Sequence, residues 1–201
     1  MIETIATLPI SWLSFISAII GLLVGSFLNV VVFRYPVMMK YQWTVQSREW
    51  LEIEPLTDPE PPTLSKPASH CSQCKTPIRA WQNIPLLSWL LLRGRCASCS
   101  QQISIRYPLV ELMTAMFSAM VVYKFGFSLQ AGFGLILTWV LVALSFIDFD
   151  HKLLPDDIVI PILWLGLALS LVPVFGNTNS AVLGAIAGYL VFWIVFQVFL
   201  R

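Results

Sequence analysis

The sequence predicts an all-α integral membrane protein with about five transmembrane helices and one long polar loop. Of its 201 residues, 57% are hydrophobic and 11% are charged, the apolar residues fall into five long runs, and the basic residues are concentrated in one interval. A soluble domain carries about 25% charged residues. The lipid bilayer is therefore the expected environment. The formal net charge of +1 argues against a nucleic acid partner.

The first apolar run, residues 10–33, is long enough to cross ~30 Å of hydrocarbon. It carries Gly21, Gly25, Ser26 and Asn29 at helical spacing. Small residues allow a neighbouring helix to approach closely, and Asn29 is able to hydrogen-bond across that contact. For the glycines alone, a plain helix-packing face is sufficient explanation.

Four further apolar runs follow the polar loop, and all are predicted to span the membrane. They are residues 107–125, 129–147, 158–175 and 181–200. The connectors at 126–128 and 176–180 are turn-like, whereas the connector at 148–157 is charged. We therefore divide the chain into a first transmembrane helix at 1–33, a loop domain at 34–106 and further transmembrane helices at 107–201.

The basic residues predict the orientation. Of the 12 lysines and arginines, nine lie in the loop: Arg34, Lys40, Arg48, Lys66, Lys75, Arg79, Arg93, Arg95 and Arg106. Cytoplasmic loops carry an excess of positive charge. A cytoplasmic loop, with the spans alternating, also places Lys152 and Arg201 inside and leaves only Lys124 outside. The expected location is the bacterial inner membrane, with a periplasmic N-terminus.

The loop contains the chain's 4 cysteines, in two CxxC pairs: Cys71, Cys74, Cys96 and Cys99. This spacing is typical of a tetrahedral Zn²⁺ site. Two disulfides and four free thiols are the alternatives, and a reducing cytoplasm disfavours the disulfides. We expect the zinc to be structural, because a loop of this composition does not fold alone.

Between the two cysteine pairs lies an apolar stretch, residues 84–92. It is too short to cross a bilayer. We expect it to lie against the membrane surface or under the zinc knuckles, with Trp81 and Trp89 at the interface and Arg93 and Arg95 near anionic headgroups.

The charged connector begins with Asp148, which directly follows the third apolar run. A carboxylate at the mouth of a transmembrane helix is only partly hydrated, which suits acid–base chemistry. Alternatively, Asp148, Asp150, Asp156 and Asp157 solvate a turn, and the last two cap the next helix. Glu111, in the second run, forms either a buried structural pair or the lining of a polar cavity.

Five motifs resemble those of the type IV prepilin peptidase family. They are GSFLNVVVFR at 25–34, the paired CxxC knuckles, NIPLLSW at 83–89, RYPLVEL at 106–112 and IDFDHKLLPD at 147–156. The resemblance implies a membrane aspartic peptidase that cleaves the basic leader of type IV prepilins and pseudopilins at the cytoplasmic face. It also implies N-methylation of the new N-terminus with S-adenosylmethionine. Asp148 matches the first catalytic aspartate.

The family's second catalytic aspartate lies in a GxGD motif, which this sequence does not contain. Aspartic catalysis needs two carboxylates that share a proton. We therefore expect the chain to be C-terminally truncated and inactive as a peptidase on its own. The alternative function is a non-catalytic membrane module that binds or assembles components of a pilus or type II secretion system.

Overall fold

The computed structural model describes residues 8–56, 59–71, 73–172 and 174–199. Within these ranges the protein is helical and has no β-strand, which confirms the predicted fold class. The six α-helices are α1 (Ile10–Trp50), α2 (Leu87–Leu91), α3 (Arg106–Phe125), α4 (Leu129–His151), α5 (Asp156–Leu171) and α6 (Thr178–Phe199), and a 3-10 turn occupies Ala80–Asn83. Residues up to 154 form one compact unit, and residues from 155 onward form another.

Helix α1 does not end where the hydropathy changes, near residue 33. It continues to Trp50, for 41 residues in all, which corresponds to about 62 Å of helix. Pro36 lies inside the helix, where it removes one backbone donor and its ring crowds the carbonyl four residues earlier. A change from apolar to polar side chains does not by itself break a helix, so the predicted loop begins as a helical extension.

Glycines bring α1 and α3 into close contact. A Cβ on Gly21 would lie 2.7 Å from the Cα of Ala115, and a Cβ on Gly25 would lie 2.7 Å from the Cα of Glu111. Both distances are shorter than van der Waals contact, so only glycine fits. The predicted packing role of these glycines is confirmed.

The core of the first unit lies where α1, α3 and α4 meet. Its buried side chains are apolar: Leu28, Val32, Val110, Val142, Ala143 and Ile147. Burial of such side chains contributes roughly 1.5–3 kcal/mol each in water, but the gain is smaller between helices in lipid, where close packing and hydrogen bonds matter more.

Hydrogen bonds join the three helices inside this bundle. Ser17 Oγ donates to the carbonyl of Ser118 at 3.0 Å, and Trp139 Nε1 donates to Ser118 Oγ at 2.9 Å. Asn29 Nδ2 donates to the carbonyl of Tyr107 at 3.1 Å, which confirms the predicted bond across the helix contact. Polar groups in an apolar bundle thus find partners on neighbouring helices.

Four helices in the described ranges are long and apolar enough to cross a membrane: α1, α3, α4 and α6. The remaining predicted span, 158–175, corresponds to α5, which has 16 residues and a length of about 24 Å. Val172 is extended, the conformation favoured before proline, and residue 173 is proline. Residues 173 and 200 of the predicted spans lie outside the described ranges.

In the second unit, α5 and α6 pack against each other. No residue of α6 is buried, although most of its side chains are apolar. A helix that is hydrophobic on all sides suits a lipid environment.

Candidate functional site

The four cysteine side chains converge on one point. Their sulfur atoms all lie within 4.8 Å of one another, and the Sγ atoms of Cys71 and Cys99 are 3.8 Å apart. In a tetrahedral site with Zn–S bonds of ~2.3 Å, the edges between sulfurs measure roughly 3.8 Å. All four cysteines are free thiols. The cluster therefore has the donor set and the size to hold a metal ion.

The two cysteine knuckles have the same backbone structure. The amide of Cys71 donates to the carbonyl of Thr76 at 3.0 Å, and the amide of Cys96 donates to that of Gln101 at 2.8 Å. Lys75 and Ser100, at matching positions, both have left-handed backbones. An isolated β-bridge closes each knuckle, His70 to Pro77 and Arg95 to Gln102. Each cysteine pair is thus presented by a preformed turn.

The thiols have opposite pKa shifts. Hydrogen bonds with the side chain and the backbone of Thr76 lower the pKa of the Cys74 thiol from 9.0 to about 6. For Cys99, the amide of Gln101 lowers the pKa, but desolvation and the three neighbouring thiols outweigh it and raise the value to about 11. The Cys74 thiolate is therefore available near neutral pH, whereas a bound dication would favour ionisation of Cys99.

The second knuckle packs against a tryptophan from the apolar stretch. Trp89 Nε1 donates to the carbonyl of Ile103 at 3.2 Å. A Cβ on Gly94 would lie 2.9 Å from the indole ring, and this glycine has a φ of +66°. Trp89 therefore lies under the second knuckle. Trp81, in contrast, is exposed.

Glu111 links the loop to the helical bundle. Its Oε2 accepts a hydrogen bond from the amide of Leu86 at 2.8 Å, and Ser26 on α1 also bonds to its side chain. Leu86 has a φ of 58°, an unfavourable conformation for a leucine that persists only when its surroundings hold it. Glu111 thus pairs with a backbone donor, rather than with a basic side chain.

Arg34 provides a second link between the loop and α1. Its guanidinium is buried and donates to the carbonyls of Thr63 at 2.7 Å and Pro67 at 2.9 Å. Sequence reasoning counted Arg34 only as a topology charge and a motif residue. A basic residue ending an apolar motif is the signal that would have suggested this anchoring role.

Asp148 lies in the last turns of α4 and is half-buried. Its neighbour Ile147 is completely buried in the core, which holds this end of the helix in place. Lys152 ends the helix in a left-handed conformation, and its amide donates to the carbonyl of Asp148 at 2.9 Å. In the described part of the chain, no hydrogen bond or ion pair engages the Asp148 carboxylate.

Asp150 forms a salt bridge with Arg106 at the start of α3. The same guanidinium lies over the ring of Phe146, 5.5 Å from its centroid. Sequence reasoning missed this pair, although α3 begins and α4 ends on the same side of the predicted membrane. Asp156 and Asp157 lie in the first turn of α5, where their negative charge stabilises the helix through its dipole. The N-cap residue itself is Pro155.

These features define a multi-pass membrane protein whose four-cysteine loop is anchored to its helical bundle. Residues 19–125 match the family described as "Bacterial Peptidase A24 N-terminal domain", and residues 135–200 match the "Type IV leader peptidase family". The chain belongs to the type IV leader peptidase family. No solved structure matches it.

Several curated relatives carry the name "Prepilin leader peptidase/N-methyltransferase". The chain is 48% identical over 198 residues to the protein of Stutzerimonas stutzeri, covering 98% of this chain and 68% of that protein. It is 53% identical over 186 residues to the protein of Neisseria gonorrhoeae, covering 92% and 65% respectively. It is 47% identical over 199 residues to the protein of Pseudomonas aeruginosa, covering 99% of this chain and 68% of that protein. The chain thus spans about two thirds of the length of these relatives.

Proposed function

We propose that this chain carries the Asp148 half of an aspartic peptidase centre that removes the basic leader of type IV prepilins and pseudopilins. The observation that carries this proposal is the placement of Asp148. Its half-buried side chain lies in the last turn of α4, next to the buried core residue Ile147. A carboxylate held rigidly and left without a partner is available for a substrate or an activated water.

The second carboxylate of the dyad is not Asp150. That side chain forms a salt bridge with Arg106, and residues two apart on a helix do not share a face. Glu111 is also engaged, by the amide of Leu86. By family resemblance, the partner is the GxGD aspartate, which this sequence does not contain. One carboxylate would activate water while the other, protonated, polarises the scissile carbonyl.

The orientation supports this choice of substrate. The concentration of lysine and arginine in the loop supports a cytoplasmic position for the end of α4, and with it for Asp148. A pilin leader stays in the cytoplasm while the helix that follows it is apolar and lies in the membrane. Its scissile bond therefore falls at the level of Asp148.

The four cysteines fit structural zinc. Their sulfurs already lie at the spacing of a ZnS₄ site, and no open ligand position is needed because the site is made of four protein thiolates. Bound zinc would join the two knuckles of the loop. For S-adenosylmethionine, no group of side chains in the described ranges forms a recognisable site. Methylation therefore rests on the family resemblance alone.

Isosteric substitution of Asp148 tests the proposal. In a form of the protein that carries the GxGD segment, Asp148→Asn should abolish cleavage of a prepilin in membranes, while membrane insertion and zinc content stay unchanged. Glu49→Gln, at an exposed position of α1, is the matched control and should cleave normally. Normal cleavage by Asp148→Asn would remove this residue from the mechanism.

The alternative of a non-catalytic module is favoured by the pairing of Asp150, the other acidic residue of α4, with Arg106. It predicts that residues 1–201 crosslink to a prepilin in membranes and that Asp148→Asn leaves both this crosslink and prepilin processing unaffected.

A further inference from the structure

Helix α2 presents an exposed apolar surface in the middle of the loop. Leu87, Leu90 and Leu91 are 57%, 62% and 75% exposed. We refer to these three side chains as the leucine face. Because Trp89 packs under the second knuckle, it fixes the orientation of this short helix. The leucines therefore remain outside the loop's own core.

The start of α2 is tied to a helix that is long and apolar enough to cross a membrane. The hydrogen bond from the amide of Leu86 to Glu111 holds the start of α2 beside α3. Glu111 lies five residues after Arg106, the first residue of α3, and thus about 7.5 Å along the helix axis. The headgroup region on each side of a bilayer is roughly 5–8 Å deep. If α3 crosses the membrane, Leu86 lies where headgroups meet acyl chains.

Helix α3 also exposes apolar side chains on either side of Glu111. Leu109, Leu112 and Met116 on α3 are exposed, as expected of side chains that contact lipid. The apolar surface of the loop and that of the spanning helix therefore occupy adjacent depths of the same bilayer.

Basic side chains border the leucine face. Arg93 and Arg95 follow α2 directly, and both are exposed. Neither forms a salt bridge within the described ranges. Exposed leucines next to exposed arginines suit a lipid interface, where the leucines would contact acyl chains and the arginines would contact anionic phosphates. A soluble protein partner would not need the surface to be at this depth.

We propose that the leucine face inserts into the headgroup–acyl boundary of the membrane, and that Arg93 and Arg95 bind anionic phospholipid headgroups beside it. The loop is then attached to the membrane at two points, through Glu111 and through lipid. This inference depends on α3 crossing the membrane and does not depend on peptidase activity.

Photocrosslinking to lipid tests the proposal. Leu90 is replaced by benzoylphenylalanine in the full chain, which is reconstituted in vesicles of phosphatidylethanolamine and phosphatidylglycerol and irradiated. We expect lipid adducts at position 90. The control places the same residue at Ser98, an exposed polar position in the second knuckle, and should give no adducts. Equal labelling at both positions, adducts only to a second protein chain, or no lipid adduct at position 90 would each overturn the proposal.

Varying the lipid composition of the vesicles tests the role of Arg93 and Arg95. Labelling at position 90 should be greater in vesicles with phosphatidylglycerol than in vesicles of phosphatidylcholine alone. Arg93→Gln and Arg95→Gln should each reduce the preference for anionic lipid by up to about fivefold, and the double variant should remove it. Zinc content serves as the folding control. A preference that survives the double substitution in a zinc-loaded protein would contradict the role of the arginines.

Discussion

Gly25→Ala should weaken the helical bundle, although alanine is the better helix former. The new Cβ would lie 2.7 Å from the Cα of Glu111 and 3.1 Å from the Cβ of Thr114. The nearest atom belongs to the backbone, so no side-chain rotation relieves the contact.

The size of the effect follows from these distances. Ordinary contact begins at 3.4 Å, so α1 and α3 must separate by about 0.7 Å at this point, and overpacking of this kind costs about 1–3 kcal/mol. The gain in helix propensity from glycine to alanine is about 1 kcal/mol at most. We therefore expect a net loss of stability of up to about 2 kcal/mol.

Gly132→Ala is the matched control. This glycine lies in α4, and a Cβ there would meet nothing within 4 Å. Its replacement should leave stability unchanged or raise it slightly, because the new methyl group contacts nothing and changes only the helix propensity of the residue. The two substitutions make the same chemical change and differ only in what the methyl group contacts.

The stability of both variants is measured by reversible unfolding of the chain in mixed micelles during titration with sodium dodecyl sulfate. Near-ultraviolet circular dichroism is a suitable signal, because Trp139 is hydrogen-bonded inside the bundle. If Gly25→Ala and Gly132→Ala have the same midpoint, the close approach of α1 to α3 does not contribute to stability, and the packing argument is wrong.

Two further predictions concern the loop and the ion pair. Zinc should copurify at about one ion per chain, should be absent from the Cys71→Ser, Cys96→Ser double variant, and should be released on acidification, because protons compete with the metal for the thiolates. Atomic absorption measures all three, and a metal-free wild-type protein would refute the site. A double-mutant cycle of Arg106→Met and Asp150→Asn should give a coupling energy of about 1 kcal/mol, because the pair is only partly exposed. Unfolding midpoints measure this energy, and strictly additive effects would show that the salt bridge does not join α3 to α4.

The sequence alone was sufficient for features that depend on composition and short spacing. Apolar runs of helical length predict membrane spans because the bilayer requires about 20 apolar residues whatever the tertiary structure. The two CxxC pairs predict a metal site because a turn of four residues already brings two thiols together. The structure brings the four cysteines together and contains helices long enough to span the membrane at four of the five predicted positions.

Tertiary structure decided what depends on distant residues. The continuation of α1 to Trp50, the bond between Leu86 and Glu111, and the salt bridge between Arg106 and Asp150 have no local signal. Each of these bonds joins groups separated by 25 or more residues. Arg106 meets Asp150 because the short connector at 126–128 brings the start of α3 and the end of α4 to the same side. Periodicity and spacing describe one segment at a time, whereas these contacts exist only once the helices have packed.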